Sequence, residues 1–142
     1  MAIIQTLTTS FKVEVAQGLH NFTTGTGDVF KLALYTANAD LGASTTAYTA
    51  AGESSGANYT AGGIILTNIT PSFQGTTSYW SFQDATFTNV TLTTNGALIY
   101  NSTNGNRSVA VLNFGVNITK TAQNLVITFP VNDATNAVLR IA

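Results

Sequence analysis

The side chains able to move protons or attack a substrate are few in this sequence and stand far apart. His20 is the only imidazole, so a serine or threonine nucleophile has one candidate base and nothing beside it in sequence to orient that base. The carboxylates Glu14, Asp28, Asp40, Glu53, Asp84 and Asp133 are isolated from one another. Glycoside hydrolysis needs two of them facing across a cleft at about 5 to 9.5 Å, and their spacing sets up no such pair. Cysteine is absent, which removes disulfides, thiol nucleophiles and zinc–thiolate sites and leaves the redox compartment unreadable. The HExxH, EF-hand and phosphate-loop spacings do not occur. A hydrolase reading has only His20 and Glu53 to offer, and His20, in Gly18-Leu19-His20-Asn21-Phe22, reads as a packing or backbone-bonding residue. No catalytic, metal-ligating or cofactor-binding residue is assigned, and no cofactor or small-molecule substrate is expected.

Binding chemistry has a little more to work with. Trp80, Tyr79 and Phe82, with Tyr35, Tyr48, Tyr59 and Tyr100, have the residue types of a sugar-stacking face, although aromatics at alternate positions of a strand belong more often to a core. Asn-X-Ser/Thr triplets begin at Asn21, Asn58, Asn68, Asn89, Asn101, Asn106 and Asn117; a chain so rich in Asn and Thr generates them by composition. The cations Lys12, Lys31, Arg107, Lys120 and Arg140 are scattered and balanced by acids, so the basic stripe that nucleic acid demands is missing and no nucleic-acid partner is expected. The opening Met1-Ala2-Ile3-Ile4-Gln5 lacks the basic and apolar regions of a signal peptide, no apolar run approaches the roughly 20 residues of a bilayer span, and no membrane partner is expected.

The elements that must position these groups read mainly as strands. Ile3, Leu7, Phe11 and Val15 recur every four residues as on a helix face, while Phe11, Val13 and Val15 alternate as on a strand; the preferred reading is a short helix within residues 1–18, with Ser10, Lys12, Glu14 and Gln17 toward water and Gly18 ending it. After Gly27 the period becomes two. Strands are predicted over 30–35, 64–70, 79–82, 87–92, 97–100, 109–114, 125–129 and 137–141, with a hairpin at Asn104-Gly105 and another across the polar turn 132–136 behind Pro130. Residues 37–63 form a long loop excursion whose large apolar anchors are Leu41, Tyr48 and Tyr59. A chain of 142 residues fits one domain, 1–142. Short strands with polar turns and no βαβ alternation predict an all-β sandwich, with a jelly roll as the leading topology.

Charged residues make up only 8% of the chain and the net charge is −1, against about 25% charged in ordinary soluble domains, so self-repulsion is weak and association is favoured. Leu125, Ile127 and Phe129 oppose Val126, and Ile64 and Leu66 oppose Ile65 and Ile69, so these strands are apolar on both faces and need a cover. The cover is expected from the N-terminal helix, the long loop or another subunit. Protein-interface residues are expected in the N-terminal segment, at Ile3, Ile4, Leu7 and Phe11, and in the loop, at Leu41, Tyr48 and Tyr59.

Several stretches in their order, SFKVEVAQGLHNF from Ser10, FKLALYTANADLGASTTAYT from Phe30, NYTAGG from Asn58, GALIYNST from Gly96 and ITFPVNDATNAVLRIA from Ile127, resemble a family of small virion structural proteins of tailed bacteriophages. The resemblance covers nearly the whole chain. It implies a capsid cement or decoration protein on the capsid exterior, present in the host cytoplasm during assembly, with the major capsid protein as partner and self-association as a dimer or trimer. A tail or fibre component with a lectin-like, glycan-binding role is the alternative it leaves open. The family carries no catalytic motif to transfer.

Overall fold

Alternating β-branched and aromatic residues dictate extended chain over about half of the sequence. A computed structural model describes residues 2–142; Met1, the first residue of the expected N-terminal helical segment, lies outside them. Two antiparallel sheets and one short helix make an all-β sandwich. The elements in chain order are β1 (Thr6–Leu7), α1 (Thr9–Ala16), β2 (Phe30–Tyr35), β3 (Ile64–Ile65), β4 (Asn68–Gln74), β5 (Thr77–Phe82), β6 (Ala85–Asn101), β7 (Arg107–Ile127) and β8 (Leu139–Ile141). The sheets run β1-β7-β6-β2-β3 and β4-β5-β8, an order that does not establish the jelly-roll topology expected from the sequence.

The helix is shorter than its sequence pattern because Thr6 and Leu7 are drawn into the larger sheet and Ile3 into a bridge with the long loop. Ile3 bridges Leu41, while Thr6 and Leu7 pair with Val111 and Ala110 of β7, so a strand precedes the helix. Thr8 then caps α1, its hydroxyl accepting from Phe11 N–H at 3.4 Å. The far end closes as expected at Gly18, whose φ of +73° lets Gly18 N–H reach Val15 O and Leu19 N–H reach Glu14 O at 3.2 and 3.1 Å. This is a Schellman closure, and the left-handed position is why glycine stands there. Glu14, expected in water, is buried, because Arg107 and His20 meet its carboxylate inside the fold.

One ribbon forms the spine. The predicted strands at 87–92 and 97–100 are a single β6, and those at 109–114 and 125–129 fall on a single β7 that ends at Ile127, short of Phe129; the two are paired from Ala85↔Ile127 to Asn101↔Arg107 around the Asn104-Gly105 turn. The apparent breaks are bulges. Between the pairs Thr94↔Ile118 and Gly96↔Asn113, Asn95 faces the insertion Phe114–Asn117, held by Asn95 Nδ2 donating to Asn117 Oδ1 at 3.0 Å. The predicted run 64–70 divides instead: β3 pairs with β2, Leu66 is buried with its N–H on Phe30 O at 2.8 Å, and β4 joins the smaller sheet. The hairpin predicted across 132–136 is absent, and β8 pairs with β5, which sets Leu139 opposite Trp80. Pro130 cannot extend the β7 ladder, and the Asp133 carboxylate accepts from Thr135 and Asn136 N–H at 2.9 and 2.7 Å, turning the chain toward the other sheet.

Alternation along β2 and β6 divides the core in two. Phe30, Leu32, Leu34, Ala97 and Ile99 face Trp80, Phe82 and Leu139 of the smaller sheet together with Phe11 of α1. Ala33, Tyr35, Leu98, Tyr100 and Val111 face the opposite way, against Ile3, Ala39, Leu41 and Tyr48. The larger sheet is thus greasy on both sides, as its sequence requires, and the 37–63 excursion with the N-terminal strap covers the side that the smaller sheet does not.

Candidate functional site

Three arrangements could carry function: a carboxylate–tyrosine latch under the long loop, a polar network around His20, and the apolar surface left uncovered.

The latch is built on Glu53. Its Oε1 accepts from the Tyr48 hydroxyl at 2.6 Å, and its Oε2 accepts from the Tyr59 hydroxyl at 2.6 Å and from Gly62 N–H at 2.8 Å. The Tyr59 oxygen accepts in turn from Leu34 N–H of β2 at 2.9 Å. Tyr35 donates to Thr49 O and Tyr100 to Gly62 O, each at 2.6 Å, and the Tyr48 and Tyr100 rings stack at 4.9 Å. Burial raises the pKa of all four tyrosines; next in importance is the charge of Glu53 for Tyr35 and Tyr100 and its hydrogen bond for Tyr48 and Tyr59, and Tyr48 is pushed up to about 12. Bonds from Ser54 N–H to Leu34 O and from Thr36 N–H to Gly52 O, both 2.9 Å, stitch the loop along the edge of β2. At Gly63 (φ +82°) a Cβ would overlap the Leu32 carbonyl, so only glycine lets the loop pass this close. Chemically the cluster is a lock: the carboxylate accepts three hydrogen bonds, and the four tyrosine hydroxyls each donate one, to Glu53 or to a backbone carbonyl.

The second arrangement joins α1 to the hairpin turn. Glu14 Oε1 lies 2.9 Å from His20 Nε2, and Glu14 Oε2 accepts from Arg107 Nη1 at 2.9 Å. Fully buried Asn101 accepts from Thr103 and Asn104 N–H on its Oδ1, at 3.0 and 3.1 Å, which fixes its amide. Its Nδ2 therefore donates to Asp28 Oδ2 at 2.8 Å and toward His20 Nδ1 at 3.1 Å. With Nδ1 an acceptor, His20 carries its proton on Nε2 and donates to Glu14. Both ring nitrogens are committed, and the ring lies against Phe11 at 5.0 Å, as the packing reading of His20 expected. Glu53 and His20, the pair available to a hydrolase, belong to separate networks. Among the described residues no group of three or more His, Asp or Glu side chains could hold a metal ion, and no helix is long and apolar enough to cross a membrane.

The expected interface residues divide sharply. Ile3, Phe11 and Leu41 are 7%, 3% and 2% exposed; they pack inside this chain, because the strap and loop are needed as cover for its own sheet. Leu7, Tyr48 and Tyr59 are half-buried against those cores, and Ile4 alone of the set is open. Of the aromatics with sugar-stacking residue types, Trp80 and Phe82 turn inward at 6% and 2% exposed, while Tyr79, next to Trp80 in sequence, is half-buried on the other face of β5, beside Arg140. The exposed large apolar side chains are elsewhere: Ile65, Phe73, Val116, Val126, Val131 and Ile141 among them. Ile65 and Val126 follow from the two-faced strands seen in the sequence. Phe73 and Ile141 do not, since their exposure depends on β8 joining β5: the register Phe73↔Ser78↔Ile141 puts both on the face of Trp80 and Leu139, beyond the end of the core.

Compared with known proteins, the chain matches no family model, and no curated protein or solved structure is similar to it.

Proposed function

We propose that this chain is a structural subunit that works by packing against other protein subunits, and specifically a cement or decoration protein of a tailed-bacteriophage capsid. The observation that carries the reading is the exposure of large apolar side chains, Phe73 at 74%, Val131 at 69% and Ile65 at 65%, on a chain with 8% charged residues. Isolated apolar side chains are ordinary on a surface. Here there is little charge between them to oppose association, and repeated weak contacts of this kind gain avidity on a symmetric lattice. The capsid assignment draws on the sequence resemblance; the subunit assignment stands on the surface.

The test uses purified full-length chain. Light scattering is expected to give the mass of a dimer or trimer, and the chain is expected to co-sediment with capsid shells that lack it and to raise their thermal stability. A chain that stays monomeric at high concentration and leaves shells untouched refutes the reading.

A further inference from the structure

The flank of α1 and the adjoining edge of the smaller sheet enclose an apolar slot of about 320 Å³. Trp80 and Leu139, paired across β5 and β8, form part of its lining; Phe11 and Val15 of α1 face them. A second hollow of about 480 Å³ shares Val15, Trp80 and Ile141 with the first and continues past Ser78 and Pro71. The Phe73↔Ser78↔Ile141 row puts two exposed apolar side chains on the same face of the sheet.

Two features specify the occupant. Lys12 and Arg140, two of the five cations, both line the slot, both are exposed, and no carboxylate lines either hollow. Among the described residues neither forms an ion pair, since both salt bridges belong to Glu14; Asp133 interacts with Arg140 only as the last contributor to its own lowered pKa. In a chain with so little charge, two cations outside any ion pair beside an apolar slot form a complement for a negative partner. The second feature is Trp80, which is 6% exposed and has an indole Nε1–H with no hydrogen-bond acceptor in the fold. A buried donor of this kind is uncommon in a finished interior; the nitrogen is covered in this fold, so an acceptor from a partner reaches it only where the side chains around it give way.

We infer that the slot between α1 and β5–β8 is the docking site for an apolar segment of a partner protein that carries carboxylates, with Lys12 and Arg140 taking the charge and Trp80 the apolar side chain. This rests on the reading of the chain as a protein-packing subunit and names the surface and partner chemistry that reading leaves open. The arrangement is an apolar anchor with a charged rim: buried contact supplies affinity, and the rim selects sign.

Trp80 is the only tryptophan, so its emission reports on the slot directly. The full chain is titrated to millimolar concentration with the acetylated, amidated peptide Leu-Asp-Leu-Glu-Leu and with its basic counterpart Leu-Lys-Leu-Arg-Leu. The acidic peptide is expected to change Trp80 emission saturably while the basic one does not. In the double variant Lys12→Glu, Arg140→Glu, which alters exposed side chains only, affinity for the acidic peptide is expected to fall by about tenfold, or about 1.4 kcal/mol, and the preference to reverse. Absence of a saturable response to the acidic peptide, or an affinity unchanged within about twofold in the double variant, overturns the inference. Shell binding is read separately: if the double variant binds shells like the unaltered chain, the slot is not the contact and the subunit reading stands. If the unaltered chain takes the acidic peptide but ignores shells and stays monomeric, the subunit reading fails while the slot survives.

Discussion

Replacing Glu53 by Gln changes almost no volume and so isolates the charge that holds the long loop down. The carboxylate accepts three hydrogen bonds, from Tyr48, Tyr59 and Gly62. Bonds to a charged acceptor contribute about 1.5 to 3 kcal/mol each and neutral ones about 0.5 to 1.5. The amide best serves this site by keeping its oxygen toward Tyr59 and Gly62 and turning its NH2 toward the Tyr48 oxygen, so each bond survives in weaker form at a loss of about 1 kcal/mol. The sum over three bonds, about 3 kcal/mol, is a large part of the 5 to 15 kcal/mol that holds an ordinary domain folded. Urea unfolding measures the total, with a lowered midpoint expected. Hydrogen exchange locates it: the amides of Thr36, Tyr48 and Ser54, bonded to Gly52, Asn106 and Leu34, are expected to lose protection beyond the global change, while those of Val111 and Ile99 in the ribbon track global stability. A variant within about 0.5 kcal/mol of the original, by the urea measurement, with unchanged loop protection would show that the loop is held by packing alone and refute the latch.

Further expectations follow from the same contacts. Because burial raises the pKa of Tyr35, Tyr48, Tyr59 and Tyr100 above the ordinary tyrosine value, the fold favours their protonated form. Their stabilising contribution is complete below about pH 10 and is lost as the pH rises through the folded values, about 12 for Tyr48; ultraviolet absorbance should show phenolate appearing together with loss of the near-ultraviolet circular dichroism signal, and ionisation of all four near pH 10 in an intact fold would contradict the burial argument. Gly18→Ala forces a side chain into the left-handed position that closes α1 and should lower stability by about 1 kcal/mol, read as a smaller urea midpoint, with no change if the closure is unimportant. Asn101→Leu strands the Thr103 and Asn104 N–H groups and removes the donor to Asp28 and His20. A loss of about 3 kcal/mol is expected in urea unfolding, and a loss under about 1 kcal/mol would mean that the turn finds other partners.

The sequence carried the architecture wherever a local pattern had a local cause. Strand β2, the Asn104-Gly105 hairpin and the Gly18 closure are legible because period-two alternation, a two-residue turn signal and a left-handed glycine act within a few residues of themselves. Pairing between distant segments was not legible. Nothing in Leu139-Arg140-Ile141 distinguishes a partner in β7 from one in β5, and Thr93-Thr94-Asn95-Gly96 stands as a gap between two predicted strands until the insertion at 114–117 shows that β7 takes up the irregularity. The sites followed the same rule. His20 was legible as a packing residue, but its side-chain bonds to Glu14 and Asn101 in place of backbone ones were not, and the burial of Glu14 depends on Arg107, which lies far along the chain. Glu53 looked like one isolated acid among six because its partners Tyr48, Tyr59 and Gly62 come together only when the loop folds back on β2.

The loop changes where uncovered apolar surface lies. Two-faced strands argued for an outside cover, and the chain supplies much of that cover itself: Ile3, Leu41 and Tyr48 complete the second face of the larger sheet. With that face closed, apolar side chains remain at the sheet margins, on Ile65 of β3, Val126 of β7 and Phe73 and Ile141 of the smaller sheet. Margins are also where backbone N–H and C=O groups lack a neighbouring strand, and beyond its short pairing with β1 the strand β7 has such an edge along its second half. Native proteins blunt edges of this kind with bulges and charge, and here the bulges around Gly115 and Ala122 and the single Lys120 interrupt the β7 edge. The three-residue β8 is limited by its shortness, and the charge beside it, Arg140, lies with Lys12 next to an apolar slot. A surface that discourages strand addition along one margin and offers a charged, apolar hollow at the other is suited to side-chain docking by a specific partner rather than to indiscriminate sheet extension.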